Sequence, residues 1–370
     1  MNLRTPGPTP LPESVLQAMT RQMTDHRGET FAVLLESVTE KLKHFYQTKN
    51  DVLIFPSSGT GGMEAAVVNT LSPGDKVLVV SIGAFGDRFA EIATAFGAKV
   101  TKLDFPWGTA ADPAAIVAKL DEEPAFKAVF VTHNETSTGV TNDLESIAKA
   151  LRSYSNGTGR SPLFIVDAIS SLAAIDLQAD NWGCDVVVTG SQKSWMIPPG
   201  LSFVSVSPAA WEAYASAKMP RYYWDYGKAK KYLEKRQNPF TPPVSLYYAL
   251  DEALNLMMQE GLQEILTRHK RLGSYFRNSV QQLGLKILPE ERSASNVVTA
   301  IPVPDGITVK ELRRILREEF DIISAGGQGE LDGKIFRIGH VGYVSQEDLD
   351  EVLDALKIVL SRLGSVPVRL

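Results

Sequence analysis

Short apolar runs alternate with longer amphipathic stretches through the first two thirds of the chain. The runs are rich in Val, Ile and Phe and are bounded by turn residues, which is typical of buried strands, whereas the stretches between them have helical spacing. Strands are predicted at residues 76–81, 99–103, 128–132, 163–167, 186–189 and 201–206, and helices at 62–71, 86–96, 114–120 and 144–154. A Gly/Ser-rich stretch at 156–162 is predicted to be a surface loop. This order predicts an α/β fold with a mostly parallel central sheet sandwiched by helices.

The pattern changes after Pro243. A long helical stretch at 246–283, broken near Gly261, precedes strands predicted at 295–301 and 335–338 and helices predicted at 309–320 and 346–363. This mixture is typical of a small α+β domain. Because 370 residues exceed what one core usually serves, we predict a large domain at 16–260 and a smaller C-terminal domain at 261–370.

Composition and charge narrow the possible functions. The chain is 44% hydrophobic and 22% charged, and its net charge of -5 comes without a dense Lys/Arg stripe, which argues against a nucleic-acid partner. Its single cysteine, Cys184, excludes an internal disulfide and a multi-cysteine metal site, and no metal is predicted. The proline-rich start lacks the apolar segment of a secretory signal, and no stretch approaches the roughly 20 apolar residues of a membrane helix. We therefore expect a cytoplasmic protein with no membrane partner.

A glycine-rich turn links a strand-like run to a good helix-forming sequence. The segment FPSSGTGG (residues 55–62) would present backbone N–H groups and the positive end of a helix dipole to an anion. Ser58 and Thr60 can add hydroxyl donors. The glycine spacing matches neither the P-loop nor the dinucleotide fingerprint. The segment therefore predicts either a phosphate cradle or a tight turn that binds nothing.

Two ionisable residues follow predicted strands. Asp167 comes directly after a buried run, at the edge where open α/β sheets bind ligands, and a half-buried carboxylate there needs a partner. A protonated pyridine nitrogen is one such partner, and capping of a following helix is the alternative. Lys193 lies in a Gly/Ser-rich loop after the next strand, where shielding from water would make its amine nucleophilic. Because one strand separates them, both groups are expected at the same edge of neighbouring strands.

Three further features could contact a ligand. The segment HNETSTG (residues 133–139) packs polar side chains at a strand end, which suits hydrogen bonds to a ligand or ordinary turn formation. Phe85 follows another strand and could lie on an aromatic ring or simply in the core. Arg337 lies within an apolar strand, where its guanidinium would bind a substrate carboxylate or a structural acidic residue.

Taken in order, these segments resemble the class V aminotransferases that use pyridoxal phosphate, in particular the serine–pyruvate and alanine–glyoxylate group. The resemblance runs from Thr5 to about Gly342. Its most specific pieces are SGT with EAA (58–60 and 64–66), THNETSTG (132–139), VDA (166–168), GSQK (190–193) and RIG (337–339). The resemblance implies the fold-type-I architecture of pyridoxal-phosphate-dependent transferases and ping-pong transamination.

The resemblance also implies residue roles. Lys193 would carry the cofactor as a Schiff base and move the Cα proton, Asp167 would pair with the pyridinium nitrogen, and Phe85 would stack on the ring. Thr136 would contact the hydroxyl edge of the ring, and the phosphate would be bound by Ser58, Gly59, Thr60 and Gln192. The phosphate site would be completed from the neighbouring subunit of a homodimer by Thr241 and Asn238. The substrate carboxylate would be bound by Arg337 and the backbone near Gly7. Residues 1–15 would form an arm near the active site.

Substrate identity stays open. Better-known alanine–glyoxylate members carry Trp, His and Tyr where this chain has Phe85, Thr60 and Asn238. No second arginine stands out near the sheet edge, although Arg27 and Arg221 are unplaced, so we expect an amino acid with one carboxylate, alanine or serine, and glyoxylate or pyruvate as acceptor. Aspartate or ureidoglycine as donor is the alternative.

Two other classes of protein are weighed against transamination. A cysteine desulfurase or related lyase needs a nucleophilic cysteine late in the chain, and the sequence has none after Cys184. A non-catalytic nucleotide-binding protein would leave Lys193 and Asp167 without a purpose.

Overall fold

The structure, a computed structural model, describes residues 1–123, 125–154 and 161–364, so most of the predicted loop at 156–162 lies outside the described residues. Its helices are α1 (Glu13–Ala18), α2 (Glu29–Tyr46), α3 (Gly59–Thr70), α4 (Ala84–Ala95), α5 (Pro113–Glu122), α6 (Leu144–Ser153), α7 (Pro208–Ser216), α8 (Tyr226–Leu233), α9 (Val244–Glu260), α10 (Leu262–Gln282), α11 (Val309–Phe320) and α12 (Gln346–Arg362). Its strands are β1 (Asn2–Leu3), β2 (Asp51–Phe55), β3 (Lys76–Ser81), β4 (Lys99–Asp104), β5 (Ala128–Thr132), β6 (Asn134–Glu135), β7 (Val140–Thr141), β8 (Leu163–Asp167), β9 (Val186–Gly190), β10 (Ser202–Val206), β11 (Val298–Pro302), β12 (Ile322–Ile323), β13 (Ala325–Gly326) and β14 (Ile335–Gly339).

The central sheet has seven strands in the order β2-β10-β9-β8-β5-β3-β4. The pairs β3–β4, β3–β5, β5–β8 and β8–β9 are parallel, and β10 runs antiparallel to both β2 and β9. The predicted mostly parallel sheet is therefore confirmed. The helix after the glycine-rich turn begins at Gly59 rather than at residue 62, because the N–H groups of Gly61 and Gly62 already bond to the Ser58 carbonyl.

Helices cover both faces of this sheet, because successive strand residues point to opposite sides. Leu78, Val80 and Val129 pack with α2, α5, α6 and α9 on one face. Val77, Val79 and Phe130 pack with α3, α4, α7 and α8 on the other. All of these sheet side chains are fully buried. Burial of each such side chain stabilises the fold by about 1.5–3 kcal/mol, so the two apolar layers fix the strand ends that carry the polar residues.

A second, smaller group of elements follows α9. Gly261, at a φ of 85°, interrupts the helical stretch between α9 and α10. Beyond it, the antiparallel sheet β11-β14-β13 shares an apolar core with α10, α11 and α12. The division of the chain at residues 260 and 261 stays a prediction.

The start of the chain joins this second group, since β1 pairs in parallel with β12. No helix among the described residues is long and apolar enough to cross a membrane.

Candidate active site

A cavity of about 280 Å³ lies at the carboxyl ends of the parallel neighbours β5, β8 and β9. Its lining includes residues from two βα turns, from the three segments that end or follow β5, β8 and β9, and from the second group of elements. These are Ser58, Gly59, Thr60, Phe85, Arg88, Asn134, Thr136, Asp167, Ile169, Ser170, Gln192, Lys193 and Gln328. Most of the residues singled out from the sequence therefore meet in one place.

Lys193 lies in the loop that leaves β9 and is 8% exposed. Its Nζ donates a hydrogen bond to the carbonyl of Pro6. Burial, together with the positive charge of Arg337, lowers the pKa of Lys193 to about 8. A fraction of this amine is consequently unprotonated near neutral pH, as a nucleophile requires.

Asp167 ends β8 and is 3% exposed. One of its oxygens accepts a hydrogen bond from the N–H of Ile169 at 2.9 Å, a local turn bond, and no α-helix follows for it to cap. Burial raises the pKa of Asp167 to about 7, and the negative charge of Glu135 adds to the rise. Because a buried carboxylate with one donor is costly, this group is suited to a positively charged ligand atom.

The start of α3 forms the anion cradle. Ser58 is the N-cap residue, yet its hydroxyl makes no capping bond and stays available. The first N–H groups of a helix have no partner within it. A Cβ added at Gly59 would lie 2.5 Å from Cδ1 of Ile169, so any larger residue would require Ile169 to move. Gln192 also lines the cavity, where its Nε2 amide could donate to an anion; its Oε1, an acceptor, is buried with no hydrogen-bond partner among the described residues. Backbone N–H groups and the hydroxyls of Ser58 and Thr60 are the donors at this end of the cavity.

The loop after β5 organises the opposite wall. Glu135 is fully buried, and its carboxylate accepts hydrogen bonds from the N–H groups of Phe85 at 3.0 Å and Gly86 at 3.2 Å. It also accepts from the N–H and hydroxyl of Ser137, at 3.1 and 2.6 Å. The start of α4 is thereby held against this loop, which fixes the ring of Phe85 at the cavity.

Arg337 lies on β14, is 6% exposed and does not itself line the cavity. It donates to the carbonyls of Gly326 and Thr136, both at 2.8 Å, and to Oε1 of Gln328 at 3.4 Å. Among the described residues no carboxylate lies within ion-pair distance of it, so the alternative of a structural ion pair is not found. It has charge to offer to an anion beside Thr136.

The N-terminal arm lies over Lys193. A Cβ added at Gly7 would come within 2.6 Å of Cδ and 2.7 Å of Nζ of that lysine. The hydroxyl of Thr9 donates to the Lys193 carbonyl at 3.3 Å, and the N–H of Gly339 donates to the Arg4 carbonyl at 2.7 Å. The arm therefore lies against Lys193 and links it to the strand that carries Arg337, while a role of Gly7 in substrate binding stays a prediction.

Two residues expected in the phosphate site lie elsewhere in this chain. Nδ2 of Asn238 donates to the hydroxyl of Tyr247 at 2.9 Å, and Thr241 is exposed. Neither lines the cavity. Of the two unplaced arginines, Arg27 donates to the Asn238 carbonyl and Arg221 to the Val68 carbonyl, so neither reaches the cavity.

The expectation that no second arginine lies near the sheet edge is wrong. Arg88 lines the cavity, and its guanidinium lies 4.6 Å from the ring centroid of Phe85. The sequence carried a signal for it, because residues three apart share one face of a helix and α4 already held Phe85. Gln328 and Ser170 were also missed, and no sequence pattern pointed to them.

The side chains fit pyridoxal phosphate by their chemistry. The cradle at α3 would hold the phosphate, Asp167 the ring nitrogen and Phe85 the ring face, and Lys193 offers an amine of lowered pKa. Among the described residues no cluster of three or more His, Cys, Asp or Glu could hold a metal ion. Cys184 is buried before β9, and burial raises the pKa of its thiol well above its ordinary value, which does not favour a thiolate nucleophile.

Comparisons with known proteins show the family, although the relatives carry different names. The family model for class-V aminotransferases matches residues 1–352. The chain is 46% identical to the small subunit of a soluble hydrogenase from Synechococcus sp., over 98% of this chain and 93% of that one. It is 37% identical to the L-aspartate–glyoxylate aminotransferase of Paracoccus denitrificans, over 99% and 92%. The crystal structure of an alanine–glyoxylate aminotransferase from Nostoc sp. superposes with a TM-score of 0.92 at 33% identity, covering 97% of this chain and 95% of that one.

Proposed function

The chain belongs to the class-V aminotransferase family, and from that premise we propose that it binds pyridoxal phosphate at Lys193 and moves an amino group from a small amino acid to a small 2-oxo acid. One observation supports this most strongly. An amine of lowered pKa and a carboxylate of raised pKa lie at the ends of neighbouring parallel strands in one cavity. Burial moves both pKa values toward neutrality, and strongly shifted titratable groups that share one cavity are typical of acid–base sites.

Each residue would have a defined task. When bound, the cofactor supplies an electron sink for the negative charge that develops at the substrate Cα. Asp167 would keep the ring nitrogen protonated. Lys193 would take the proton from the substrate Cα and deliver it to C4′ of the cofactor. Its lowered pKa brings that amine close to the pH at which a general base works best. Burial of both groups excludes water that would compete for the proton.

Binding and orientation fall to the remaining groups. We assign the phosphate to Ser58, Gly59, Thr60 and Gln192, the ring hydroxyl edge to Thr136, and the ring face to Phe85. Arg337 and the backbone at Gly7 would hold the substrate α-carboxylate, since both lie beside Lys193 or Thr136. Asn238 and Thr241 would reach the phosphate of a second subunit in a homodimer, in accordance with their distance from this chain's own cavity.

Alanine or serine as donor, with glyoxylate or pyruvate as acceptor, follows from the family, and aspartate or ureidoglycine is the alternative. A lyase or desulfurase activity is disfavoured by the buried Cys184.

A spectroscopic test decides the central claim. The purified protein, saturated with pyridoxal phosphate, should show a visible absorbance band that shifts when an amino acid is added and returns when a 2-oxo acid follows. Lys193→Ala should abolish the band and the amino-group transfer. Asp104→Asn, which changes an exposed carboxylate at another strand end of the same sheet, should behave as wild type. If Lys193→Ala gave the same spectra and turnover as the unaltered protein, the assignment would be wrong.

A further inference from the structure

Arg88 occupies a position in the cavity that the proposed roles do not use. It follows Phe85 by three residues on α4, so both side chains lie on the face of the helix that lines the cavity. The ring of Phe85 supports its guanidinium at 4.6 Å. Since Glu135 fixes the start of α4 through two backbone hydrogen bonds, the guanidinium is carried by a rigid element.

No carboxylate of the described residues forms an ion pair with this guanidinium, although its charge acts on Asp167. Among the described residues it makes neither an ion pair nor a hydrogen bond. The adjacent Asp87 pairs with Lys102 at 2.9 Å instead. The two carboxylates nearest the cavity are committed, Glu135 to four donors and Asp167 to its turn and the proposed ring nitrogen. A half-buried cation in a ligand cavity without a counter-charge is a site for an anion supplied by the ligand.

A substrate with one carboxylate needs one arginine partner, and this site offers two, Arg88 and Arg337. The phosphate has its own cradle at α3, and the α-carboxylate has Arg337. We propose that Arg88 binds the side-chain carboxylate of the substrate, so that the site prefers a four-carbon dicarboxylic amino acid of the aspartate type to alanine or serine. This rests on the proposed transamination and reverses the donor preference that the absence of a second arginine had indicated.

The competing role is a contact between Arg88 and oxygens of the cofactor itself. The two roles differ in what a substitution changes. A side-chain carboxylate ligand alters discrimination between dicarboxylates and monocarboxylates and leaves cofactor affinity in place. A cofactor ligand alters cofactor affinity and affects every amino acid alike.

The test compares Arg88→Met, which removes the charge and keeps bulk, with Arg88→Lys, which keeps the charge and loses the planar fork. Glu91→Gln, an exposed change on the same helix, is the control. For each holoenzyme, succinate and butyrate are titrated as non-reacting ligands by calorimetry, and kcat/KM of the amino-donor half-reaction is measured with aspartate and with alanine. The dissociation constant of pyridoxal phosphate is measured in parallel.

Wild type and Glu91→Gln should bind succinate more tightly than butyrate and use aspartate better than alanine. In Arg88→Met both ratios should fall about ten- to a hundredfold, as expected for a lost charge-assisted pair, and in Arg88→Lys by a smaller factor. Cofactor affinity should change less than threefold. Equal losses with aspartate and alanine, a large loss of cofactor affinity, or a wild type that prefers alanine would each overturn the assignment. If no amino acid reacted at all, the proposed transamination would fail, while the succinate-to-butyrate ratio would still decide the role of Arg88.

Discussion

The strands β5 and β8 are neighbours in one sheet, and a buried carboxylate lies at the end of each. The two carboxylates differ in how many hydrogen bonds they accept from the protein. Glu135, after β5, accepts four hydrogen bonds from Phe85, Gly86 and Ser137. Asp167, at the end of β8, accepts one from Ile169. Burial raises the pKa of both carboxyls, to about 7 for Asp167, and the hydrogen bonds from Ser137, Gly86 and Phe85 oppose the rise for Glu135. Glu135, whose hydrogen-bonding capacity is used by the protein, holds the cavity wall in place. Asp167, which accepts only one hydrogen bond, remains available to a ligand.

The largest effect should come from Asp167→Asn. The amide keeps the shape and the turn bond but cannot balance a protonated ring nitrogen. Loss of one partner of a buried ion pair costs roughly 3–5 kcal/mol, so kcat/KM of the holoenzyme should fall by about two to nearly four orders of magnitude. Steady-state kinetics with a saturating 2-oxo acid measure it, with Asp104→Asn as the matched control. A loss under fivefold would mean that Asp167 is not the partner of the ring.

The same substitution should have a pH-dependent effect on the stability of the protein without cofactor. The folded-state pKa of about 7 lies above the ordinary 3.8, so Asp167 contributes stability that is present below pH 4 and lost as the pH rises to 7. His133, His269 and His340, whose burial lowers their pKa to about 3, act in the opposite direction in that range. Because these histidines are present in both proteins, their contribution cancels in the difference between the unfolding free energies of Asp167→Asn and wild type.

Urea unfolding at pH 4 to 8 should show Asp167→Asn gaining on wild type with rising pH, by up to about 4 kcal/mol at neutral pH. A difference that stayed constant with pH would contradict the raised pKa.

Sequence reasoning found the unsaturated carboxylate more readily than the saturated one. Asp167 and Lys193 follow buried strands separated by one connection, and parallel strands bring their carboxyl ends to one edge, so their meeting could be predicted. The apolar runs also gave β3, β5 and β8 with their observed bounds. Glu135 stood in a polar segment whose hydrogen bonds go to α4, about fifty residues earlier in the chain. Such contacts depend on how a loop folds back over a helix start, which periodicity does not carry. Arg88 was missed although it follows Phe85 by three residues, because the predicted helix began at residue 86 and left Phe85 outside it, whereas α4 begins at Ala84.

Glu135→Gln should lower the stability of the protein, whereas Asp167→Asn should raise it. The amide nitrogen would face N–H donors that now point at a carboxylate oxygen, so at least one bond is lost and a buried donor is left unpaired. We expect a destabilisation of about 2–3 kcal/mol at pH 7 in urea unfolding of the protein without cofactor, where Asp167→Asn stabilises. Glu91→Gln changes an exposed residue of α4, the helix whose start Glu135 contacts, and should change stability by less than 0.5 kcal/mol. A neutral Glu135→Gln would show that the four donors do not hold α4.

Ser137→Ala should give the smallest effect and tests how far the saturation of Glu135 matters. The Ser137 hydroxyl donates to Glu135 at 2.6 Å and accepts from the N–H of Ala84 at 3.0 Å. Its removal leaves Glu135 with three donors and the first N–H of α4 without its partner. Loss of such a cap costs about 1 kcal/mol, so urea unfolding should show a decrease of that size. Because the carboxylate keeps both bonds to α4, the aspartate-to-alanine ratio set by Arg88 should stay within twofold. A large change in that ratio would mean that Ser137, rather than Glu135, fixes the helix face that lines the cavity.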